Sequence, residues 1–480
     1  MRSYRHGNRT LTLGFAVVLG IVAAGAGWNA RGGAQESPRP AAGGAPSIDP
    51  DAGRLSPGPI GGPAAPSTTT TSSGSLDTSF AGDGTIMTFI PPILEEPDYN
   101  TDIPVAVAID GDGRILVAGY GATHPFVLVR YNADGTLDTT FGTDGLATFD
   151  TQAYGRASCM AVQPDGRILV GGGLGAYVAL ARFMPDGSLD PDFGQGGIVQ
   201  QGEPRGSATN IDLLSDGRII LATGGVTGTL HLARYEFNGL PDDSFGTNGV
   251  VDTGLNASGI IDMAQQADGR FVFVWFAGSF TMARFNADGS ADAGFGTGGL
   301  VDLPFWANAV VAQPDGKIVV GGWSAQLPEP PPPPPGGSTQ ADKASLSSKA
   351  GFEIGRYNPD GSLDESFGAQ GLVTTNFNGQ AWIYALALDA QGRLVAAGTF
   401  IKQSGGSDFA LARYESDGRI DKTFGRKGKT TADVDGLHLD EGALAIAVQP
   451  DGRLVVVGPI TLDREGPLDS FAWGLARFLP

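Results

Sequence analysis

Cysteine is almost absent from this sequence: Cys159 is the only one in 480 residues, so no disulfide can form within the chain. It lies in an apolar, strand-like stretch, where a cysteine usually behaves as a small buried side chain. Histidine is also scarce, and His124, His231 and His438 match no metal-ligand spacing. The sequence has neither a serine-nucleophile elbow nor a phosphate-binding loop. It therefore identifies no catalytic residue, no metal ligand and no cofactor site.

Basic residues are outnumbered, with 31 Lys and Arg against 51 Asp and Glu, which gives a formal net charge of −20. A surface with this excess repels phosphate backbones and anionic lipids. We therefore expect no nucleic-acid partner, no membrane contact beyond the leader described next, and a monomer. Hydrophobic residues make up 41% of the chain and charged residues only 17%, so a packed core is expected rather than a charged disordered chain.

The amino-terminal segment has the pattern of an export signal. Basic residues precede an uncharged apolar run from Leu11 to Ala26, and small residues follow. This pattern predicts a signal peptide over residues 1–34, with an uncleaved membrane anchor as the alternative. Residues 35–74 are rich in Pro, Gly, Ala, Ser and Thr, which predicts a disordered linker. The protein is then secreted or periplasmic in a bacterium, or membrane-anchored if the leader stays uncleaved.

Glycine is abundant, with 75 residues, and much of it belongs to an internal repeat. A phrase of the type AVQPDGRILVGG, a phrase ending in Arg and an aromatic residue, and a phrase containing Asp-x-x-Phe-Gly follow one another in that order. The repeat glycines are Gly113, Gly166, Gly217, Gly269, Gly316, Gly392 and Gly452. The repeat arginines are Arg130, Arg182, Arg234, Arg284, Arg356, Arg413 and Arg477. The Asp and Phe of the third phrase are Asp77, Asp138, Asp190, Asp242, Asp292, Asp364 and Asp421, with Phe80, Phe141, Phe193, Phe245, Phe295, Phe367 and Phe424.

One copy of the repeat is divided between the two ends of the domain. The last copy stops at Pro480 without its third phrase, and the missing phrase stands at Leu76–Gly84, ahead of a strand-like segment. A closed ring favours this division, because an amino-terminal strand can complete the last blade. Each copy also offers four strand candidates, the first two joined by an Asp-Gly turn. The sequence therefore predicts an all-β fold over residues 75–480: a seven-bladed β-propeller of four-stranded antiparallel blades, closed by an N-terminal strand.

These phrases resemble the delta-60 repeat family of bacterial exported proteins, whose repeats are thought to form β-propellers. The resemblance covers about Ser75 to Pro480 and implies the fold, with little about activity. The chain departs from the family pattern at Pro241, Ala291 and Gln391. It also carries an insertion at about residues 325–350, whose proline run predicts a disordered loop with polyproline II character.

The residues that recur in every copy favour structural roles. We expect each repeat arginine to bind the Asp of the third phrase within its blade, and the repeat phenylalanines to form the core between blades. Asp-Gly runs at Asp134, Asp186 and Asp360 faintly resemble calcium loops, but they lack the terminal glutamate of an EF-hand. We interpret them as hydrogen-bonded turns, and we expect no metal.

Residues that break the repeat are the candidates for function. At the entry to the first strand, by the expected channel mouth, two neighbouring repeats place Trp306 and Trp382 and another places Arg156. Aromatic rings there suit a sugar ring or an apolar peptide side chain, although they could also plug the channel or cap the core. We expect a binding or scaffold module for an extracellular protein or a glycan, with its ligand on the face of the strand 2–3 loops.

Two other functions stay open: a hydrolase or lyase acting on polysaccharide in the central funnel, and a purely structural surface protein. An enzyme would need a cluster of ionisable residues that breaks the repeat and has shifted pKa values. The sequence shows no such cluster, so a non-enzymatic role is favoured.

Overall fold

The computed structural model describes residues 72–90, 102–121, 124–149, 154–225, 228–256, 260–276, 278–323, 350–402, 405–436, 440–463 and 470–480. The predicted signal peptide (1–34), nearly all of the linker (35–74) and nearly all of the insertion (325–350) lie outside these residues. Within them, no helix has the length and apolar character needed to cross a bilayer.

The described chain is built from short strands. In chain order these are β1 (Thr85–Thr88), β2 (Ile103–Ile109), β3 (Ile115–Tyr120), β4 (Val127–Tyr131), β5 (Leu146–Thr148), β6 (Gly155–Val162), β7 (Ile168–Leu174), β8 (Tyr177–Phe183), β9 (Ile198–Leu213), β10 (Ile219–Gly225), β11 (Thr229–Tyr235), β12 (Val250–Asn256), β13 (Ile260–Gln265) and β14 (Phe271–Phe276). They continue with β15 (Phe280–Phe285), β16 (Leu300–Asp302), β17 (Trp306–Ala312), β18 (Ile318–Trp323), β19 (Phe352–Tyr357), β20 (Leu372–Thr375), β21 (Gln380–Leu388), β22 (Leu394–Ile401), β23 (Ser407–Tyr414), β24 (Lys429–Ala432), β25 (Ala445–Val448), β26 (Leu454–Asp463) and β27 (Ser470–Phe478).

Each repeat forms a four-stranded antiparallel meander, which confirms the predicted all-β class and blade unit. Four sheets follow the chain directly: β2 to β5, β13 to β16, β17 to β20 and β21 to β24. The second and third repeats share a seven-stranded sheet, because β9 pairs with β8 along its first half and with β10 along its second. We expected two separate strands here. The link between these repeats stays extended, so β9 serves as both fourth and first strand.

The first two strands of each repeat are joined where the sequence places Asp-Gly, or Gln391-Gly392 in the sixth repeat. The repeat glycines there all have positive φ, for example 83° at Gly166 and 87° at Gly217. Side chains other than glycine rarely adopt this conformation, so the turn requires the residue. The second and third strands that follow are almost wholly buried, as in β3 and β4. Their continuous apolar character is what strands packed on both faces need.

The divided repeat is completed by the amino-terminal segment. Strand β1 pairs antiparallel with β27, with Thr85 opposite Ala476, and the sheet order is β1-β27-β26-β25. A bridge between Leu76 and Phe478 extends the pairing. The third phrase of the last repeat, at residues 76–84, therefore lies just before the fourth strand of its sheet, as the third phrase does in the other repeats.

The core lies between neighbouring sheets. First strands of successive repeats contact one another, and β2 of the first repeat likewise contacts β25 of the last. One apolar cluster joins Phe80, Val117 and Val129 to Val455 and Trp473, so the first and last repeats share a core. The repeat phenylalanines are at most 1% exposed: Phe80, Phe141, Phe193, Phe245, Phe295, Phe367 and Phe424.

An ion pair, which we call the Arg–Asp latch, holds the connection between third and fourth strands in every repeat. The Arg Nε to Asp Oδ2 distances are 2.8 Å for Arg130–Asp138, 2.8 Å for Arg182–Asp190, 2.6 Å for Arg234–Asp242, 2.8 Å for Arg284–Asp292, 2.7 Å for Arg356–Asp364, 2.7 Å for Arg413–Asp421 and 2.9 Å for Arg477–Asp77. Each guanidinium also covers the ring of the repeat phenylalanine, at 4.3 Å for Arg182 over Phe193.

The latch carboxylates are held in the ionised form. Burial opposes the ionisation of Asp242, but hydrogen bonds from Ser244, Arg234 and Arg218 outweigh it. The pKa of Asp242 therefore lies below its usual range. The latch also reaches into the next repeat, since Arg234 Nη1 donates to the Ala287 carbonyl oxygen at 3.1 Å. Arg477 of the last repeat donates in the same way to the Ala133 carbonyl of the first.

Candidate functional site

The residues predicted from the sequence lie on one edge of the sheets, where first strands begin and second strands end. We call it the entry edge. Trp306 pairs with Trp323 across β17 and β18, and Trp382 pairs with Thr399 across β21 and β22. Arg156 pairs with Gly173 across β6 and β7. The repeat register therefore gives Arg156 and the two tryptophans equivalent backbone positions in three different sheets.

A β-bulge next to these positions shapes the entry edge. In β17 the register shifts between Ala307 and Ala309, and equivalent shifts occur in β6 and β21. The bulge brings the Trp306 carbonyl close to Gly322, where an added Cβ would lie only 1.7 Å from that oxygen. Gly322, the second of two adjacent glycines on β18, is thus required by the bulge. The bulge twists β17 and redirects the side chain of Trp306, which precedes it.

Trp306 and Trp382 belong to one aromatic cluster, formed by Phe276, Phe280, Trp306, Trp323 and Trp382. Ring centroids are 5.0 Å apart for Phe276 and Phe280, 5.3 Å for Phe280 and Trp306, 5.1 Å for Trp306 and Trp323, and 6.1 Å for Trp323 and Trp382. Trp306 is 43% exposed, and Trp323 and Trp382 are half-buried. The cluster crosses three consecutive repeats and presents an aromatic surface to solvent.

Arg156 occupies the entry edge at a different repeat. Its side chain is exposed, and its guanidinium carbon lies 5.2 Å from the Tyr120 ring centroid and 5.6 Å from that of Tyr154. Nearby, Arg205 lies 5.6 Å from the Tyr177 ring centroid. The structure therefore divides the predicted residues between an aromatic cluster and a separate arginine–tyrosine group.

Sequence reasoning missed most of the aromatic partners. Tyr120 and Trp323 each stand at the end of a second strand, directly opposite the start of the first strand, and Phe276 ends the second strand β14. Aligning the ends of the second strands, as was done for the starts of the first, would have found them.

The structure also corrects the expectation that no ionisable cluster breaks the repeat. Asp212 on β9 and Asp262 on β13 lie in neighbouring first strands and interact electrostatically. The residue equivalent to Asp212 is apolar in the other copies: Ala108, Ala161, Ala264, Val311, Ala387 and Ala447. Burial raises the pKa of Asp212 to about 6 and that of Asp262 to about 7.

The contacts of Asp262 show what this pair does in the fold. Its Oδ2 accepts the backbone N–H of Val310, and its Oδ1 accepts the Asn210 side-chain amide, both at 2.8 Å. The backbone N–H of Met263 donates to Oδ1 as well, at 2.8 Å. Asp262 thus connects the first strands of three successive repeats, and both of its oxygens are engaged in doing so.

A second group consists of three acidic residues, whose carboxylate oxygens are of the kind that bind cations. Ligand atoms of Asp408, Asp433 and Glu441 lie within 4.8 Å of one another. However, Lys402 Nζ forms an ion pair with Asp408 and lies 3.7 Å from Asp433. Glu441 accepts the N–H groups of a turn at residues 434–435, while burial raises its pKa to about 8. A lysine already supplies the positive charge here, so we assign no metal to this group.

The remaining candidates have structural partners. Asp134, Asp186 and Asp360 each accept hydrogen bonds from the residue two positions on, as in an Asx turn: Thr136 donates to Asp134 at 2.9 Å from N–H and 2.7 Å from Oγ1. Cys159 is buried, and burial raises the pKa of its thiol to about 12. A thiol so hard to ionise is a poor nucleophile.

Comparison with known families agrees with this architecture. Six segments match a family model described as a domain of unknown function (DUF5122) beta-propeller: residues 111–141, 163–193, 266–295, 313–327, 347–367 and 391–424. A search of curated proteins finds no match.

Among solved structures, virginiamycin B lyase from Staphylococcus aureus is similar, with 10% identity, 82% of this chain and 100% of that chain covered, and a TM-score of 0.47. The extracellular domain of a putative hybrid two-component system from B. thetaiotaomicron has 12% identity and a TM-score of 0.43. The match covers 82% of this chain and 40% of that chain. The Dos1 propeller has 8% identity and a TM-score of 0.43, and the match covers 80% of this chain and 81% of that chain. From its four-stranded antiparallel sheets and its six matched segments, the chain is a β-propeller repeat protein.

Proposed function

We propose that the chain is an exported, monomeric seven-bladed β-propeller that acts as a binding module, with its ligand on the aromatic cluster of the entry edge. Closure of the ring is supported by contacts of β2 with β25, and by the latch that joins Arg477 to the Ala133 carbonyl. In such a ring the first strands surround the channel, and the entry edge forms one of its mouths.

The observation that carries the binding role is the aromatic cluster itself. The three neighbouring indole rings, with Trp306 exposed and Trp323 and Trp382 half-buried, leave apolar area uncovered. Monomeric proteins seldom expose such patches without a use. The cluster also breaks the repeat: the residues equivalent to Trp306 and Trp382 are Ile103, Arg156, Ser207, Gly259 and Gly442. Packing in the other blades is achieved without tryptophan at this position, so the fold does not require it.

The test is a glycan and peptide array with the purified protein and a Trp306→Ala/Trp382→Ala double variant. We expect a ligand for the unaltered protein that the double variant loses, while its thermal unfolding midpoint stays within a few degrees. A matched control is Phe237→Ala, a partly exposed aromatic residue that contacts the latch arginine Arg182 rather than the entry edge. Ligand binding that survives in the double variant would contradict the proposed site.

The rival function is a hydrolase or lyase acting on polysaccharide in the central funnel. It is favoured by the carboxylate pair of Asp212 and Asp262, since pKa values raised into the neutral range suit proton transfer. The engagement of both Asp262 oxygens in hydrogen bonds between strands counts against it. Release of reducing ends or unsaturated products that disappears in an Asp212→Asn variant would establish the enzyme and overturn the binding module.

Export is proposed from the leader sequence alone, as is attachment by the leader if it stays uncleaved. The mass of the protein recovered from the culture medium or the periplasm would give the cleavage position. A product that begins after residue 26 and no later than residue 35 fits a removed signal peptide.

A further inference from the structure

Arg156 differs in its surroundings from the repeat arginines. Each latch arginine is buried and bound to an aspartate, as Arg182 is to Asp190. Arg156 is exposed, and within the described part of the chain no carboxylate lies within ion-pair distance of it. Among the described residues of this acidic chain, Arg156 is thus an exposed cation at the entry edge that lies outside ion-pair distance of any carboxylate.

Two tyrosines hold this cation in place. The Arg156 guanidinium carbon lies 5.2 Å from the Tyr120 ring centroid and 5.6 Å from that of Tyr154, with Tyr120 buried and Tyr154 72% exposed. A cation–π contact does not itself use the five N–H donors of a guanidinium. An arginine fixed in this way is prepared for a two-pronged hydrogen bond to a carboxylate, with less side-chain entropy to lose than a free lysine.

The position of Arg156 relates it to the aromatic cluster. It has the same strand register as Trp306 and Trp382. If the proposed ring is correct, Arg156 in the second repeat and Trp306 in the fifth stand at the same depth around one channel mouth, on opposite sides. One extended ligand at the mouth would then meet aromatic rings on one side and an exposed arginine on the other.

We propose that this ligand is an acidic oligosaccharide, whose carboxylate binds Arg156 while sugar rings stack on Trp306 and Trp382. The proposal rests on the binding function proposed above and names its ligand class. Exposed tryptophan faces suit the C–H faces of pyranose rings, and a uronic acid adds one planar carboxylate to such a ring. Polymers with denser negative charge are disfavoured by the net charge of −20.

The test compares oligouronates, made of galacturonate, mannuronate or guluronate, with their methyl esters of the same length. Esterification removes the charge and keeps the sugar ring. By calorimetric titration of the purified protein, we expect at least one oligouronate to bind about 10- to 100-fold more tightly than its ester, because a hydrogen bond to a charged group contributes this much.

Variants separate the two parts of the site. Arg156→Gln should reduce affinity for the acid to that for the ester and leave the ester unchanged, whereas Trp306→Ala/Trp382→Ala should abolish binding of both. Arg419→Gln is the matched control, since it removes the same charge from a side chain that is 81% exposed beside an Asp-Gly turn. It should change neither affinity.

Each other outcome is decisive. Equal affinity for acid and ester, unchanged by Arg156→Gln but lost in the tryptophan variant, overturns the carboxylate subsite and keeps the binding module. Binding of poly-glutamate peptides instead of any saccharide, with dependence on Arg156, overturns the glycan class. No binding of any probe overturns the acidic oligosaccharide, while the array above still tests the binding module separately.

Discussion

At the scale of single residues, Arg182 shows how the repeat is held together. Its side chain is 2% exposed, its Nε lies 2.8 Å from Asp190, and its guanidinium covers Phe193. The pair is therefore a buried ion pair that also fixes an aromatic core residue, and loss of one partner leaves a buried charge without compensation.

We expect Arg182→Met to lower the free energy of unfolding by about 3 kcal/mol, the low end for a broken buried pair. The low end applies because Arg167 also contacts Asp190, at 3.0 Å, and keeps part of the charge compensated. Urea unfolding at neutral pH measures the change. Arg419→Met, at an exposed pair, should alter stability by no more than about 0.5 kcal/mol. Equal effects of both variants would show that the latch contributes nothing beyond a surface pair.

The half-buried carboxylate of Asp262 predicts that the stability of the protein decreases as pH rises. Its pKa of about 7 in the folded protein lies well above the value of about 3.9 for an unfolded chain. Between about pH 4 and pH 7 the folded state therefore binds more protons, and its stability falls as pH rises through this window.

Replacing Asp262 by Asn removes this titration and keeps a carbonyl acceptor for the neighbouring strands. The difference in unfolding free energy between variant and unaltered protein should shift in favour of the variant by roughly 1–3 kcal/mol from pH 4.5 to pH 8. Guanidinium titrations at several pH values measure it, with Asp268→Asn, at an exposed position, as control. A difference independent of pH would mean that Asp262 is ionised in the folded protein throughout this range.

At the scale of elements, β1 and the phrase before it act as the fourth strand of the last sheet. Phe80 is 0% exposed, as Phe245 is in the third repeat, whereas Phe89, at the end of the same segment, is 55% exposed. The amino-terminal segment should therefore contribute as much to stability as the equivalent segment of an undivided repeat.

We expect Phe80→Ala and Phe245→Ala each to cost about 3–5 kcal/mol, the usual range for a buried phenylalanine. Phe89→Ala should cost less than about 0.5 kcal/mol. Chemical unfolding followed by circular dichroism compares the three. If Phe80→Ala resembles Phe89→Ala, the amino-terminal strand is not an integral part of the last sheet.

The elements also show where sequence reasoning succeeded. The Asp-Gly turns, the four strands of each repeat and the place of the divided phrase depend on local signals, namely turn residues and apolar runs. The continuous β9 was missed because Gly202, Pro204 and Gly206 are local signals for the end of a strand. The chain nevertheless stays extended there, since Gln201 and Arg205 pair with β8 and Gly206 pairs with β10.

At the scale of the whole molecule, two sets of carboxylates oppose each other in pH dependence. The latch aspartates, for example Asp190 and Asp421, have lowered pKa values, because hydrogen bonds and arginine charges outweigh burial. Their contribution is complete above about pH 4 and is lost as pH falls below it. Asp212, Asp262 and Glu441, with pKa values of about 6, 7 and 8, destabilise the fold increasingly from about pH 4 to pH 8.

We therefore expect maximum thermal stability in mildly acidic solution, at about pH 4–5, with lower unfolding midpoints on either side. Repulsion within a chain of net charge −20 adds to the decline at higher pH. Calorimetric scans from pH 2.5 to pH 9, at constant ionic strength, measure the profile. A maximum near pH 8 would show that the raised pKa values do not govern the stability of the protein.

The sequence by itself determined the repeating unit, because turn residues, apolar strands and the Arg and Asp of the latch recur at fixed places and each acts within one copy. It also indicated Trp306, Trp382 and Arg156, because they break that pattern. Only the tertiary structure joined the two tryptophans to Trp323 and Phe280, and placed tyrosines beside Arg156. These contacts link different strands and repeats, so they depend on register and bulges that no single stretch of sequence encodes.

The pKa values of Asp212 and Asp262 also depend on the tertiary structure. Aspartate is common in this chain; alignment of the repeats marks Asp212 as unusual but does not show which carboxylate lies beside it. Burial between first strands raises the pKa of both residues, and the charge of Asp212 raises that of Asp262 further. Composition can supply the carboxylates, but solvent exclusion and proximity, which set their proton affinity, are properties of the folded protein.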